Sequence, residues 1–231
     1  YKIQKEHKGE IKRIPFIAIP TTSGTGSEVT SYSVITNENS KIALADDEML
    51  PTMAILDPEF MKTLPKVVIA DTGMDVLTHA IEAYVSNSRN SFTNALSLES
   101  IKIIYKNLLN HYENSQLLKP REEIQHASCM AGLSFNNSSL GINHSIAHTL
   151  GSNLHLSHGR SNAIIMPYII ENNKNAYEYY YEISKMLGLP SKDIIEGKNS
   201  LIAFITIFKE KMKIPNSLKD LGIEFEEYKK L

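Results

Sequence analysis

Residues 64–87 read LPKVVIADTGMDVLTHAIEAYVSN, and the texture of the chain changes inside this stretch. Before Leu64-Pro65 the apolar residues come in short runs closed by turn signals. After Pro65 they recur at the three- and four-residue spacing of a helix with a buried face. Upstream, Ile14-Pro15-Phe16-Ile17-Ala18-Ile19-Pro20 reads as a strand of the fully buried type. Glu28 to Ile35 is β-branched and partly alternating, and Thr52 to Pro58 is a further short apolar run. Downstream, helical spacing predicts helices over 66–86, 92–112, 121–136, 140–150, 160–172, 175–187 and 198–213. Pro167 should kink or shorten the fifth of these, because proline removes a helix donor and crowds the preceding turn. Residues 110–120 and Gly188-Leu189-Pro190-Ser191-Lys192 read as loops, the second opened by a glycine stop. The organisation expected is a β-rich part over 1–65 and an all-α domain over 66–231.

The chain has 231 residues, 42% of them hydrophobic and 22% charged, an ordinary balance for a globular protein with a substantial core. A formal net charge of −2 offers no general attraction to nucleic acid or to an anionic membrane. No apolar run approaches the roughly 18 residues that span a bilayer, and the N-terminal stretch lacks a signal-peptide pattern. Cys129 is the single cysteine, so no internal disulfide can form and a cytoplasmic setting is expected. Position 1 is tyrosine, and Phe225 to Leu231 stops in what reads as a helix without a C-cap. Both features lead to the expectation of a piece of a longer protein.

Within the opening stretch, Asp75 and His79 stand four apart and so share one helix face. A carboxylate and an imidazole aimed together from a largely apolar helix are costly to bury unless something satisfies them, and a divalent cation would. The partners for such an ion lie far downstream. Half of the eight histidines, His144, His148, His155 and His158, fall in Gly141-Ile142-Asn143-His144-Ser145-Ile146-Ala147-His148-Thr149-Leu150-Gly151-Ser152-Asn153-Leu154-His155-Leu156-Ser157-His158. His144 and His148 are again four apart, and the Gly151-Ser152-Asn153 break lets His158 turn back toward the same point. Imidazole and carboxylate suit zinc, iron, copper or nickel. Spacing alone does not choose among these four histidines. The plainer alternative is a surface Asp–His pair of the ordinary i, i+4 kind, and His7, His111 and His126 are read as ordinary surface or core histidines.

A second motif, Thr21-Thr22-Ser23-Gly24-Thr25-Gly26-Ser27-Glu28, follows the first apolar run. Such a loop can present backbone N–H groups to phosphate. It lacks the Walker A lysine and the third glycine of the dinucleotide fingerprint. A tight turn needing positive φ is the simpler reading.

Taken together, Pro20 to Thr30, Gly73 to Tyr84, Gly141 to Gly151, Ser157-His158-Gly159, Asp57-Pro58, Leu64-Pro65 and Ile214 to Gly222 resemble the iron-containing (group III) alcohol dehydrogenase family over nearly the whole chain. The resemblance implies the C-terminal part of a Rossmann-like dinucleotide-binding domain over 1–65, an α/β remnant, followed by an all-α metal-binding and catalytic domain. Most of the N-terminal nucleotide-binding half, with its Gly-Gly-Gly-Ser pyrophosphate motif, has no counterpart here, so weak dinucleotide binding by this chain alone is expected. The resemblance carries the metal ligands to Asp75, His79, His144 and His158, and places His148 beside the nicotinamide as a catalytic group. Thr21, Thr22, Thr25 and Lys41 fall on positions that contact NAD or NADP. His155 has no family role. The metal implied is ferrous iron, and the same donors also suit zinc. The activity implied is interconversion of an alcohol with an aldehyde or ketone, without nucleic-acid or membrane partners and with a homodimer as the expected assembly. The rival readings are a metal-dependent hydrolase and a helical binding module with structural histidines.

Overall fold

The computed structural model describes residues 14–37, 40–154, 156–224 and 229; His7, His155 and the C-terminal stretch expected to be helical lie outside the described residues, Lys229 excepted. Among the described residues four short strands precede seven α-helices. β1 (Ile17–Ala18) pairs in parallel with β4 (Met53–Ala54), in the register Ile17 to Met53 and Ala18 to Ala54. β2 (Tyr32–Asn37) and β3 (Ser40–Ala45) form an antiparallel pair from Tyr32 opposite Ala45 to Asn37 opposite Ser40. β3 is a strand the sequence pattern did not single out. The first half of the predicted Glu28–Ile35 strand is instead a 3₁₀ turn at Ser27–Val29.

The run from Ile14 to Pro20 corrects the sequence reading. It was expected to be buried, yet Ile14, Phe16, Ile17 and Ile19 are exposed. Parallel strands are buried when further strands and helices cover both faces. Among the described residues no further strand joins the pair β1–β4, so its apolar side chains stand open.

The helices are α1 (Lys66–Val85), α2 (Ser91–Glu113), α3 (Leu118–Ser138), α4 (Ile142–Asn153), α5 (His158–Asn172), α6 (Tyr177–Leu187) and α7 (Ile194–Lys211). All seven predicted helical segments are present. Pro65 starts α1 from an extended conformation, and its carbonyl accepts from the Val68 and Ile69 N–H groups. Asn90 closes a capping box with Thr93 at the start of α2, and Asp193 caps α7 through the Glu196 N–H. Gly188, in the left-handed region, ends α6 where the sequence placed a stop. Pro167 does not end α5, which continues to Asn172. Burial of Ile164, Ile165, Met166 and Ile170 around it outweighs one missing helix hydrogen bond.

α1 is the central element. Ile69, Ala70, Met74, Val76, Leu77, Ala80, Ile81, Ala83 and Tyr84 are all buried, so it presents apolar surface nearly all round. α2, α3 and α5 pack on it, and α4 packs on α5. Because α1 sits in the middle of this bundle, any polar side chain it carries must find its partner inside the protein. Among the described residues no helix is long and apolar enough to cross a membrane.

One buried polar group away from the site gives a pH prediction. His111 on α2 is buried and its Nδ1 has no hydrogen-bond partner. Burial, helped by the nearby Arg121 charge, holds this imidazole down at about 4. Between that value and the unfolded one near 6.5 the unfolded chain binds a proton there that the native chain does not. Stability is therefore expected to be intact above about pH 6.5 and to fall as the pH drops toward 4. Urea midpoints at pH 7 and pH 5 measure the loss, which should shrink in His111→Gln.

Candidate metal centre

Asp75, His79 and Glu82 occupy one face of α1, because steps of four and three residues return to the same side of a helix. His144 comes from the first turn of α4, and His158 is the first residue of α5. Asp75, His79 and His144 are buried, at 3%, 4% and 4% exposure, which removes the surface-pair alternative for Asp75 and His79. The His158 side chain is about one-third open, at 32%. Each of the four offers one donor atom, and these atoms lie within 4.8 Å of one another. The Asp75 Oδ1 is 3.8 Å from His144 Nε2 and 3.6 Å from His158 Nε2.

The rings are arranged in a stack. His79 lies between Phe135 of α3 (4.5 Å, 23° between planes) and His144 (4.4 Å, 20°). His148 is one turn beyond His144 on α4, outside the group of four, with its ring 4.6 Å from that of His158.

Burial alone would push the Asp75 carboxyl up. The facing His79, His158 and His144 and a hydrogen bond from Asn162 outweigh it, and the group is held below its usual range. Burial drives His79 the other way, down to about 3, against the pull of Asp75. An ionised carboxylate beside a neutral imidazole is the donor state a divalent cation requires. One hard oxygen donor and three imidazoles, converging within 4.8 Å, fit a bound metal ion.

The four residues form the floor of a cavity of about 590 Å³. Thr25 and Ser27 of the glycine-rich loop stand on its wall, together with Val34, Leu140 and His148. The positive-φ turn expected in the loop is at Gly26, with φ 61°. A Cβ there would come within 2.7 Å of the Gly132 Cα, so only glycine lets the loop lie directly on α3. Asn136 ties the next segment down by accepting from the Ser31 N–H and hydroxyl. Thr21 and Thr22 lie on the same loop but do not line the cavity. Lys41 is on β3, and its side chain lies outside the described residues.

The sequence reading passed over Glu82, Asn162 and Phe135. Asn162 is fully buried, and its Nδ2 donates to Asp75 Oδ1 at 2.8 Å while standing 3.1 Å from His144 Nε2 and 3.2 Å from His158 Nε2. Glu82 Oε2 lies 2.5 Å from His144 Nδ1. Both had a signal: Glu82 is seven residues past Asp75, and Asn162 is four past His158, each on a face already in use. Phe135 had none, since its place beside His79 depends on how α3 packs on α1.

A central helix carrying Asp75 and His79 is thus met by histidines from two further helices, under a threonine–glycine loop, in a group that could hold a metal ion. Residues 2–58 match the family described as iron-containing alcohol dehydrogenase, and residues 69–231 match the Fe-containing alcohol dehydrogenase family, C-terminal. This chain belongs to the iron-containing alcohol dehydrogenase family. It is 43% identical over 217 residues to the NADPH-dependent butanol dehydrogenase of Clostridium saccharobutylicum, covering 93% of this chain and 55% of that one. It is 43% identical over 235 residues to an aldehyde-alcohol dehydrogenase of Streptococcus pneumoniae, covering 94% of this chain and 26% of that one. Among solved structures it is similar to sulfoacetaldehyde reductase from Bifidobacterium kashiwanohense in complex with NAD⁺, at 31% identity and a TM-score of 0.85, covering 93% and 56%. The chain thus spans between about a quarter and a little over half the length of these relatives.

Proposed function

We propose that the chain carries the metal centre of an NAD(P)-dependent oxidoreductase that interconverts a small alcohol with its aldehyde or ketone. The observation that carries this reading is the convergence of Asp75, His79, His144 and His158 at the floor of a cavity walled by the threonine–glycine loop. In this reading those four residues hold ferrous iron or zinc, Thr21, Thr22, Thr25 and Lys41 face the dinucleotide, and the boundary between the two parts falls near residue 65. When bound, the cation supplies Lewis-acid chemistry at the substrate oxygen and the nicotinamide supplies the redox chemistry.

The residues of the chain do the rest. Asp75 contributes the negative charge of the ligand set, and His79, buried and neutral, contributes a lone pair. Phe135, Val34 and Leu140 line the cavity with apolar surface that limits water around the reacting carbon. His148, half-buried on the cavity wall beside His158, stands where it can hold the alcohol proton and pass it toward solvent. The lone Cys129 supports a cytoplasmic setting for the reaction.

The test is an assay of the whole protein that carries this chain, with ferrous or zinc ion, butanol and NAD⁺ or NADP⁺, followed at the absorbance of reduced nicotinamide. Cofactor reduction that tracks metal content is the expected result. Ester cleavage without reduction would move the assignment to a hydrolase, and no bound metal would move it to a binding module. His148→Ala is expected to lower turnover about 10²-fold or more, with the pH dependence of kcat altered. Full turnover across pH in that variant would take the proton role from His148.

A further inference from the structure

Glu82 is a buried carboxylate that the reading above leaves without a role. Its Oε1 accepts from the Asn143 N–H at 2.8 Å. Its Oε2 faces the His144 N–H at 3.3 Å and the His144 Nδ1 at 2.5 Å. Asn143 and His144 are in the first turn of α4, where backbone N–H groups have no partner within the helix. No side chain of the Gly141 N-cap can serve them, so one carboxylate from α1 takes their place. Gly141 makes room for it, since a Cβ there would lie 2.6 Å from Glu82 Oε1.

We propose that Glu82 is the positioning residue of the metal centre: by accepting from His144 Nδ1 it fixes the tautomer whose Nε2 lone pair faces Asp75 and His158. The inference rests on the metal-centre reading and deepens it. Both Glu82 oxygens already face backbone N–H donors, those of Asn143 and His144, so the carboxyl is placed as an acceptor and Nδ1 as the donor. The opposite side of the ring requires the same tautomer independently. Asn162 Oδ1 accepts from Asn143 Nδ2 at 2.8 Å, which orients the Asn162 amide. Its Nδ2 donates to Asp75 and therefore also meets His144 Nε2 as a donor meets a lone pair. Both contacts on His144 leave Nε2 unprotonated. A ligand histidine held this way by a carboxylate keeps its ring orientation and gains basicity, and loss of such a partner costs about 10–100-fold in metal affinity.

Glu82→Gln tests this. Whichever way its amide is turned, its NH₂ group faces an N–H, either that of Asn143 or those of His144. Zn²⁺ titration against a chromophoric chelator is expected to show the dissociation constant raised about 10–100-fold. Long-range ¹H–¹⁵N spectra of the metal-free wild-type chain, with His144 assigned by substitution, are expected to show the proton on Nδ1. In Glu82→Gln the same ring should show mixed tautomers. A wild-type His144 protonated at Nε2 would overturn the inference without any variant. So would Glu82→Gln binding Zn²⁺ as tightly as wild type, whatever it did to thermal stability. A wild-type chain that bound no Zn²⁺ at all would instead remove the metal-centre reading, and the inference with it.

Discussion

Asp75→Ala is expected to raise the dissociation constant for Zn²⁺ or Fe²⁺ about 100–1,000-fold, one donor's share of the roughly 10–16 kcal/mol that a four-ligand site supplies. Asp75 is the only carboxylate among the four converging donors, and the three imidazoles left behind carry no compensating charge. Alcohol oxidation should fall in proportion to metal content after dialysis, measured by elemental analysis. Loss of the Asn162 hydrogen bond adds about 1–3 kcal/mol of destabilisation, because a buried amide donor loses its carboxylate. Asp71→Ala separates the two effects. Asp71 is also buried on α1 but pairs with Arg160, its Oδ1 3.1 Å from Nε. That variant is expected to lose stability and keep its metal. Unchanged metal affinity in Asp75→Ala would end the assignment of this cluster as a metal centre.

Gly159→Ala is expected to damage both the fold and the site. A Cβ at 159 would stand 2.1 Å from the Asp71 carbonyl oxygen, 2.7 Å from its carbonyl carbon and 3.1 Å from Asp75 Cβ. Two of these three atoms are backbone of α1, which cannot swing aside as a side chain can. α5 must lift away from α1, and overpacking of this kind costs about 1–3 kcal/mol or somewhat more. For a chain of this size that lowers the melting temperature by about 2–12 °C. His158 is the adjacent residue on α5, so the same displacement carries its ring away from Asp75. Metal affinity should therefore fall with the melting temperature, although the substituted residue is not a ligand. A variant with wild-type melting temperature and affinity would show that α5 does not depend on this close approach.

Much of the bundle was legible because a helix repeats within a few residues. Seven segments could be placed from apolar spacing alone, and α1 begins directly after the proline where the texture changes. The same periodicity put Asp75 and His79 on one face, and would have added Glu82 and Asn162 had polar residues been tracked as the apolar ones were. The misreadings have equally specific causes. Pro167 was expected to kink or shorten α5 because its local cost is visible in the sequence, whereas the burial of its neighbours is not. The Ile14–Pro20 run counted as buried because apolar composition does not say how many strands flank it.

The sequence by itself determined the helices, a positive-φ turn within Thr21–Glu28, and the fact that α1 carries a carboxylate and an imidazole on a shared face. Spacing left the choice among the histidines open and the family resemblance made it; the tertiary structure brings His144 and His158 to Asp75 with His148 outside the group, and it alone decided that Phe135 stacks on His79 and that Glu82 caps α4. These contacts join residues 56 to 83 positions apart, with the loop and β2 closing over them. Backbone geometry acts over a few residues and leaves its period in the sequence. Convergence of distant side chains depends on how whole helices pack, and small residues such as Gly159 set that approach without showing in any local pattern.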